Sequence, residues 1–230
     1  MNSKEYALIV AGGKGTRMES KIPKQFLELN GLPVLMHTIL AFYRYSKKIT
    51  VILVLPEEDI AMWESLCVRH NFTHPLILQK GGETRFQSVR NGLKKIEEDG
   101  LVAIHDGVRP MITENIIATS FQLATVHHAA IAAVPLKESI RMVNPDHTKA
   151  VDRSKFRLIQ TPQTFEVSLI KEAYEMKEDT SLTDDASVAE KSGNTIFLFE
   201  GSYDNIKITT ADDLIIAEAL MKARQVSKVL

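Results

Sequence analysis

Apolar residues fall along this chain in two alternating rhythms. Short continuous runs rich in β-branched residues stand at 6–11, 50–55, 76–79, 101–105 and 129–135. Runs of that length, apolar throughout, suit strands covered on both faces, as in a mainly parallel sheet. Between them, at about 34–45, 57–70, 86–98 and 114–127, apolar residues recur at helical spacing and predict amphipathic helices. Strand and helix in alternation predict an open, mainly parallel, Rossmann-like α/β sheet with helices on both sides. Ligands of such sheets bind beyond the carboxyl ends of the strands, so the segments that follow each strand are the first places to look for chemistry.

The rhythm breaks over 137–155. This stretch holds Pro145 and Asp146, alternates polar and apolar residues from Ser139 to Val143, and has little helical period. It predicts a projecting β-hairpin with its turn near 144–148. A lone hairpin is marginally stable, so it is expected to pack on something, for instance another subunit. Beyond it the pattern predicts a strand at 158–160, helices at 167–176 and 184–192, and a strand at 195–199. The last helix, 211–224, opens with Thr210 and Asp213 in capping-box spacing. Repeats, low-complexity tracts and linkers are absent, which predicts one domain over 1–230 with 137–155 as its arm.

Composition narrows the class. A chain of 230 residues, 44% hydrophobic and 25% charged, has the make-up of an ordinary soluble globular protein with a full core. No apolar stretch approaches the roughly 18 residues of a membrane span. The segment ahead of the first strand is no secretory signal. The single cysteine, Cys67, excludes an intrachain disulfide and a multi-thiolate metal site, and the seven histidines show no metal-ligand spacing. His127 and His128 point to different helix faces. The expected location is the cytoplasm, away from membranes. A net charge of −1 gives no broad field to attract nucleic acid. Locally the balance differs: Lys14, Arg17, Lys21 and Lys24 face only Glu19. Such a cluster suits either a solvated loop or a small polyanionic ligand, and the neighbouring glycines favour the ligand.

Those glycines lie in Ala11-Gly12-Gly13-Lys14-Gly15-Thr16-Arg17-Met18, directly after the first strand. Glycine lets the backbone turn tightly and bring N–H groups close to phosphate oxygens. Two better-known phosphate loops do not fit. The P-loop fails because Gly13-Lys14 is followed by Gly15 and Leu8 stands where its first glycine belongs; the dinucleotide fingerprint fails at Met18. Arg17 and then Ile22-Pro23-Lys24-Gln25-Phe26 follow instead. That combination is similar to the sugar-nucleotide-type nucleotidyltransferases. Within that group the chain resembles the 2-C-methyl-D-erythritol 4-phosphate cytidylyltransferases of the non-mevalonate isoprenoid route. Further motifs carry the likeness nearly end to end, in order. They are Gly81-Gly82-Glu83-Thr84-Arg85-Phe86-Gln87-Ser88-Val89, His105-Asp106-Gly107-Val108-Arg109-Pro110, Val151-Asp152-Arg153, Gln160-Thr161-Pro162-Gln163-Thr164-Phe165, Thr183-Asp184-Asp185-Ala186-Ser187 and Asn205-Ile206-Lys207-Ile208-Thr209.

The resemblance implies a nucleotidyltransferase fold and a reaction of CTP with 2-C-methyl-D-erythritol 4-phosphate, giving a CDP-alcohol and pyrophosphate. The nucleophile is an anionic phosphate oxygen, so no general base is required. The difficulty is charge building on the α-phosphorus, which cations and N–H groups relieve. Arg17 and Lys24 would stabilise that transition state, and Ala11, Gly12, Gly13, Lys14 and Gly15 would wrap the triphosphate. Mg²⁺ would bridge its oxygens. Arg153 and Lys207 complete the implied catalytic set by gripping the acceptor phosphate and aiming it. Gly82, Glu83 and Ser88 would read the pyrimidine, with Glu83 where many relatives have Asp. On the residues alone that segment reads equally as a helix N-terminus capped by Glu83 or Thr84. Asp106 would meet Mg²⁺ or the acceptor hydroxyls, with Arg109 bracing the turn, although an Asp at a strand end is also a common cap. Ser139 stands where the family usually has Thr. The resemblance further implies a homodimer whose arms cross, so that Arg153 and Ser139 serve the partner's site. A ribitol 5-phosphate cytidylyltransferase is the nearest alternative. Val151-Asp152-Arg153 and the short spacer before Pro23 look more like the isoprenoid enzyme. A non-catalytic nucleotide sensor is a third reading, against which the four cations Arg17, Lys24, Arg153 and Lys207 argue.

Overall fold

The computed structural model describes residues 3–13 and 22–226. Along them run β1 (Lys4–Val10), β2 (Glu28–Leu29), β3 (Leu32–Pro33), α1 (Val34–Tyr45), β4 (Thr50–Leu55), α2 (Glu57–Arg69), β5 (Ile77–Lys80) and α3 (Arg85–Leu93). Then come β6 (Gly100–Asp106), α4 (Glu114–His127), β7 (Ala129–Pro135), β8 (Ile140–Val143), β9 (Thr148–Val151) and β10 (Arg157–Glu166). The chain continues through α5 (Val167–Ala173), α6 (Asp185–Lys191), β11 (Phe197–Glu200) and α7 (Ala211–Val226).

Seven strands form one sheet in the order β11-β7-β10-β6-β1-β4-β5. Every neighbouring pair is parallel except those made by β10, which runs antiparallel between β6 and β7. The strands read as unbroken apolar runs because both faces are covered. Tyr6, Leu8 and Val10 of β1 pack with Phe86 and Val89 of α3 and with Ile170 of α5. Ala7 and Ile9, pointing the other way, pack with Ile39 of α1, Trp63 of α2 and Phe121 of α4. Each such fully buried aliphatic side chain contributes about 1.5–3 kcal/mol. Gly92 of α3 rests directly on the sheet: a Cβ there would lie 2.8 Å from Val54 and 2.9 Å from Leu8.

Local signals start the helices where they were expected. Thr84 and Thr113 accept the N–H groups of Gln87 and Ile116, and Asp184 forms a capping box with Ser187. Asp213 and Thr210 cap α7 reciprocally, the Asp213 carboxylate accepting from the Thr209 and Thr210 N–H groups at 2.8 Å each. The arm is a separate two-stranded sheet, β8 with β9, closed by Asn144 N–H donating to the His147 carbonyl at 2.9 Å.

Three elements differ from expectation. Helix α3 stops at Leu93 rather than near 98, because tight turns at Lys95 and Ile96 fold Ile96 inward, where it is 1% exposed. The hairpin β2–β3 was not foreseen; its turn is Asn30-Gly31, with positive φ at both residues, the usual signature of a tight two-residue hairpin. Strand β10 extends through 166 instead of ending at 160, with a register irregularity between Ile159 and Gln163. Gln160, Thr161, Gln163 and Thr164 look unlike strand in sequence, yet all are buried.

Candidate active site

The strand ends that build the site are laced by backbone hydrogen bonds. Ala11 N–H donates to the Val54 carbonyl at 3.0 Å, Gly81 N–H to Leu55 at 2.8 Å, and Gly107 N–H to Val10 at 2.8 Å. The loops after β1, β5 and β6 thereby surround a cavity of about 190 Å³, which Gly12, Gly13, Lys24, Gly82 and Ser88 help to line. A second cavity, of about 560 Å³, opens beside it over β10, with Gln160, Thr161, Gln163 and Asp184 in its wall. Arg85, Asp106 and Lys207 belong to both. They form a charged seam between two spaces.

Asp106 ends β6, and its carboxylate meets three cations. Lys207 Nζ and Arg109 Nε lie 3.1 and 3.2 Å from Oδ2, and Arg85 Nε lies 3.9 Å from Oδ1. Burial alone would raise its pKa; Lys207, Arg85 and Arg109 overcome that and hold the group well below the usual carboxylate range. Arg109 braces the turn as expected, since its Nη1 also donates to the Asn205 carbonyl at 2.7 Å. Ile208 N–H donates to the Val108 carbonyl at 2.9 Å, pinning the strand-like segment that presents Lys207.

Arg85 is anchored from behind. Its guanidinium makes two hydrogen bonds, of 2.8 and 2.6 Å, to the fully buried Asp185, whose carboxylate also accepts from Tyr174 Oη at 2.6 Å. Burial pulls the Arg85 pKa down, but Asp185 and then Asp106 more than reverse it, so the guanidinium stays charged. On the other side of the smaller cavity the Gly13 backbone lies against the buried Lys24, close enough that a Gly13 Cβ would sit 3.7 Å from Lys24 Nζ. Gly82 N–H donates to Ser88 Oγ at 3.1 Å and Glu83 N–H to Gln87 Oε1 at 3.1 Å. A Cβ on Gly82 would lie 2.3 Å from Gln87 Cβ, so only glycine lets this loop close down. Thr84, not Glu83, caps α3, and Gly82, Glu83 and Ser88 line the smaller cavity.

Of the expected site residues, the structure gathers Ala11, Gly12, Gly13, Lys24, Gly82, Glu83, Ser88, Asp106 and Lys207 around the smaller cavity. Arg109 joins them from the larger one. Lys14, Gly15 and Arg17 lie outside the described residues. Arg153 and Ser139 are not brought to either cavity: both are exposed on the arm, where Arg153 Nη1 donates to the Lys137 carbonyl.

The family model for 2-C-methyl-D-erythritol 4-phosphate cytidylyltransferase, IspD, matches residues 6–223. The chain belongs to this family. It is 47% identical over 215 residues to the 2-C-methyl-D-erythritol 4-phosphate cytidylyltransferase of Bacteroides fragilis, covering 94% of this chain and 98% of that one. A relative of the same name from Syntrophus aciditrophicus is 43% identical over 98% of this chain and 99% of its own. Among solved structures, 4-diphosphocytidyl-2C-methyl-D-erythritol synthase from Anaerococcus prevotii superposes with a TM-score of 0.82 at 28% identity, covering 96% of each chain. The Francisella tularensis cytidylyltransferase superposes at 0.79 with 30% identity, over 94% of this chain and 99% of that one.

Sequence reasoning missed several residues that build and brace the candidate site. Arg85 and Asp185 sit in motifs quoted above for their likeness, yet nothing local marks them as partners. Gln163 was likewise given no role; it donates to Asp184 at 2.8 Å and accepts from the Ala186 N–H at 2.8 Å, holding α6 to β10. Gln25, 1% exposed, ties the Lys24 segment to α2 by donating to Asp59 at 2.7 Å. A usable signal existed: unpaired charges and amides inside otherwise apolar motifs are expected to find each other when buried.

Proposed function

We propose that this enzyme transfers a cytidylyl group from CTP to 2-C-methyl-D-erythritol 4-phosphate, releasing pyrophosphate, in the non-mevalonate route. The carrying observation is the pair of cavities that share Asp106, Arg85 and Lys207. In this reading the smaller cavity takes the nucleotide. Gly12 and Gly13 offer N–H groups to its phosphates, Lys24 stands beside them, and the Gly82–Ser88 loop meets the base. The acceptor enters from the larger cavity, and Lys207 at the seam turns its phosphate towards the α-phosphorus. Charge then builds on the transferring group beside Lys24, where a fixed cation lowers the barrier.

Asp106 and the nucleotide's phosphates would hold a Mg²⁺ ion. Among the described residues no three His, Cys, Asp or Glu side chains cluster as a metal site. Asp106 is the carboxylate common to both cavities. That donor set fits an ion held mainly by phosphate oxygens and one carboxylate. Asp106 Oδ1, which lies 3.9 Å from Arg85 Nε, would be the protein ligand. The ion would supply neutralisation of the leaving pyrophosphate.

A homodimer with crossing arms belongs to the same reading. Arg153 and Ser139 line neither of the two cavities, and Met142, Val143, Phe156 and Leu158 on and beside the arm are 44–75% exposed. Apolar area of that kind is expected to be covered by a second copy. No described helix is long and apolar enough to cross a membrane, and we place the enzyme in the cytoplasm on its composition. Pyrophosphate release across the four nucleoside triphosphates, with methylerythritol phosphate and ribitol 5-phosphate as acceptors, tests the assignment. CTP with methylerythritol phosphate should be fastest; equal or faster turnover of ribitol 5-phosphate would overturn the acceptor.

A further inference from the structure

Directly behind Asp106 lie two buried side chains that the reading above leaves idle. His105 is 0% exposed and Thr161 is 4% exposed. Thr161 Oγ1 sits 3.1 Å from the Asp106 N–H and 3.0 Å from His105 Nδ1. The backbone N–H can only donate, so Thr161 accepts there, and its own proton and second lone pair remain for the contact with His105 Nδ1. The imidazole is fully buried against Phe42, and its Nε2 lies 3.4 Å from the Arg109 carbonyl.

The same residue also grips the segment that carries Lys207. Asn205 Nδ2 donates to the Thr161 carbonyl at 2.8 Å, and the Asn205 carbonyl accepts from Arg109 Nη1 at 2.7 Å. Lys207 follows two residues later and reaches Asp106 at 3.1 Å. One residue of β10 thus joins the backbones that present Asp106, Arg109 and Lys207.

We propose that Thr161 is a positioning residue for cytidylyl transfer: its hydroxyl, held between the Asp106 N–H and His105 Nδ1, fixes the Asp106 turn so that Asp106 holds Lys207 at the seam. The proposal deepens the function given above and rests on it for its kinetic part. Replacing the hydroxyl by a methyl leaves the buried Asp106 N–H and His105 Nδ1 without partners, and the turn shifts to relieve them. A displacement of about 1 Å in a positioning group is enough for a hundredfold loss in rate.

The test has two arms. In nitrogen-15 amide spectra Thr161→Val should move the Asp106 N–H signal, which loses its acceptor, away from its wild-type position; an unmoved Asp106 amide overturns the hydrogen-bond reading. This arm needs no turnover, so it stands even where no acceptor pair gives activity, an outcome that would sink the function instead. In the kinetic arm Thr161→Val should lower kcat about tenfold or more per folded molecule, with the CTP KM moving less than about threefold. Thr161→Ser, which keeps the hydroxyl, should restore kcat to within about threefold of wild type. In a Lys207→Gln background Thr161→Val should add less than about twofold, because both act through one contact. Normal kcat in Thr161→Val, even with a lowered melting temperature, or a full additional loss beside Lys207→Gln, overturns the proposal. If Thr161→Val does not fold, the serine variant decides it: a serine variant that folds but turns over at a tenth of wild type refutes it.

Discussion

Asp185→Ala isolates the anchor behind the seam. Asp185 has no exposed surface and accepts three hydrogen bonds, two from Arg85 and one from Tyr174. Removing one partner of a buried ion pair costs about 3–5 kcal/mol, because the other charge is left desolvated and alone. Arg85 keeps 30% of its side-chain surface in water and lies 3.9 Å from Asp106, which softens the loss. The lower end, about 3 kcal/mol, is therefore expected. For a chain of this size each kcal/mol moves the melting temperature by about 2–4 °C, so the variant should melt about 6–12 °C below wild type. Tyr174→Phe removes one hydrogen bond to the same carboxylate and leaves the pair intact; about 1.5 kcal/mol, or 3–6 °C, is expected. The double variant Arg85→Met with Asp185→Leu should recover most of the stability, since neither charge is then stranded. Scanning calorimetry, checked by urea unfolding, measures all three. Asp185→Ala melting within about 2 °C of wild type, or a double variant no better than the sum of the singles, would refute the reasoning.

Lys24→Ala should lower kcat about a hundredfold or more while CTP binding weakens less; a raised KM with near-normal kcat would remove its transition-state role. Mixing inactive Lys24→Ala with inactive Arg153→Ala under subunit exchange should return about a quarter of wild-type activity, since half the dimers are mixed and each regains one site of two. No recovery, or a fully active monomer in gel filtration, dismisses the crossing arm. Asp213 is expected to make stability acid-sensitive at the start of α7: burial raises its pKa, but hydrogen bonds from Thr209 and Thr210 outweigh that and lower it. A depressed carboxylate stabilises the fold above its unfolded pKa of about 3.9 and loses that contribution as pH falls through the folded value. Asp213→Ala should thus cost about 1–2 kcal/mol at pH 7 in urea melts and progressively less below pH 4; a constant difference would mean the cap is not the cause.

The hydrophobic pattern determined most of the sheet by itself. Residues 50–55 and 129–135 are strands as expected, because a strand buried on both faces needs apolar side chains at every position. Glycines and caps are equally local: Thr84, Thr113, Asp184 and Thr210 begin helices by bonding groups three residues on. The same local signals put the candidate site residues at the ends of β1, β5 and β6. Asn30-Gly31 was legible in the same local way and was passed over. Strand β10 beyond Gln160 was not legible. Its polar residues stay in the sheet only because His105, Asp184, Ser120 and Ser202, distant in sequence, satisfy them. Arg85 and Asp185 stand 100 residues apart, so their pairing depends on α3 and α6 packing against the same sheet face. Periodicity and capping are settled within a few residues of chain, whereas a buried charge or hydroxyl acquires its partner only when separate elements close around it, and that closure is a property of the tertiary structure.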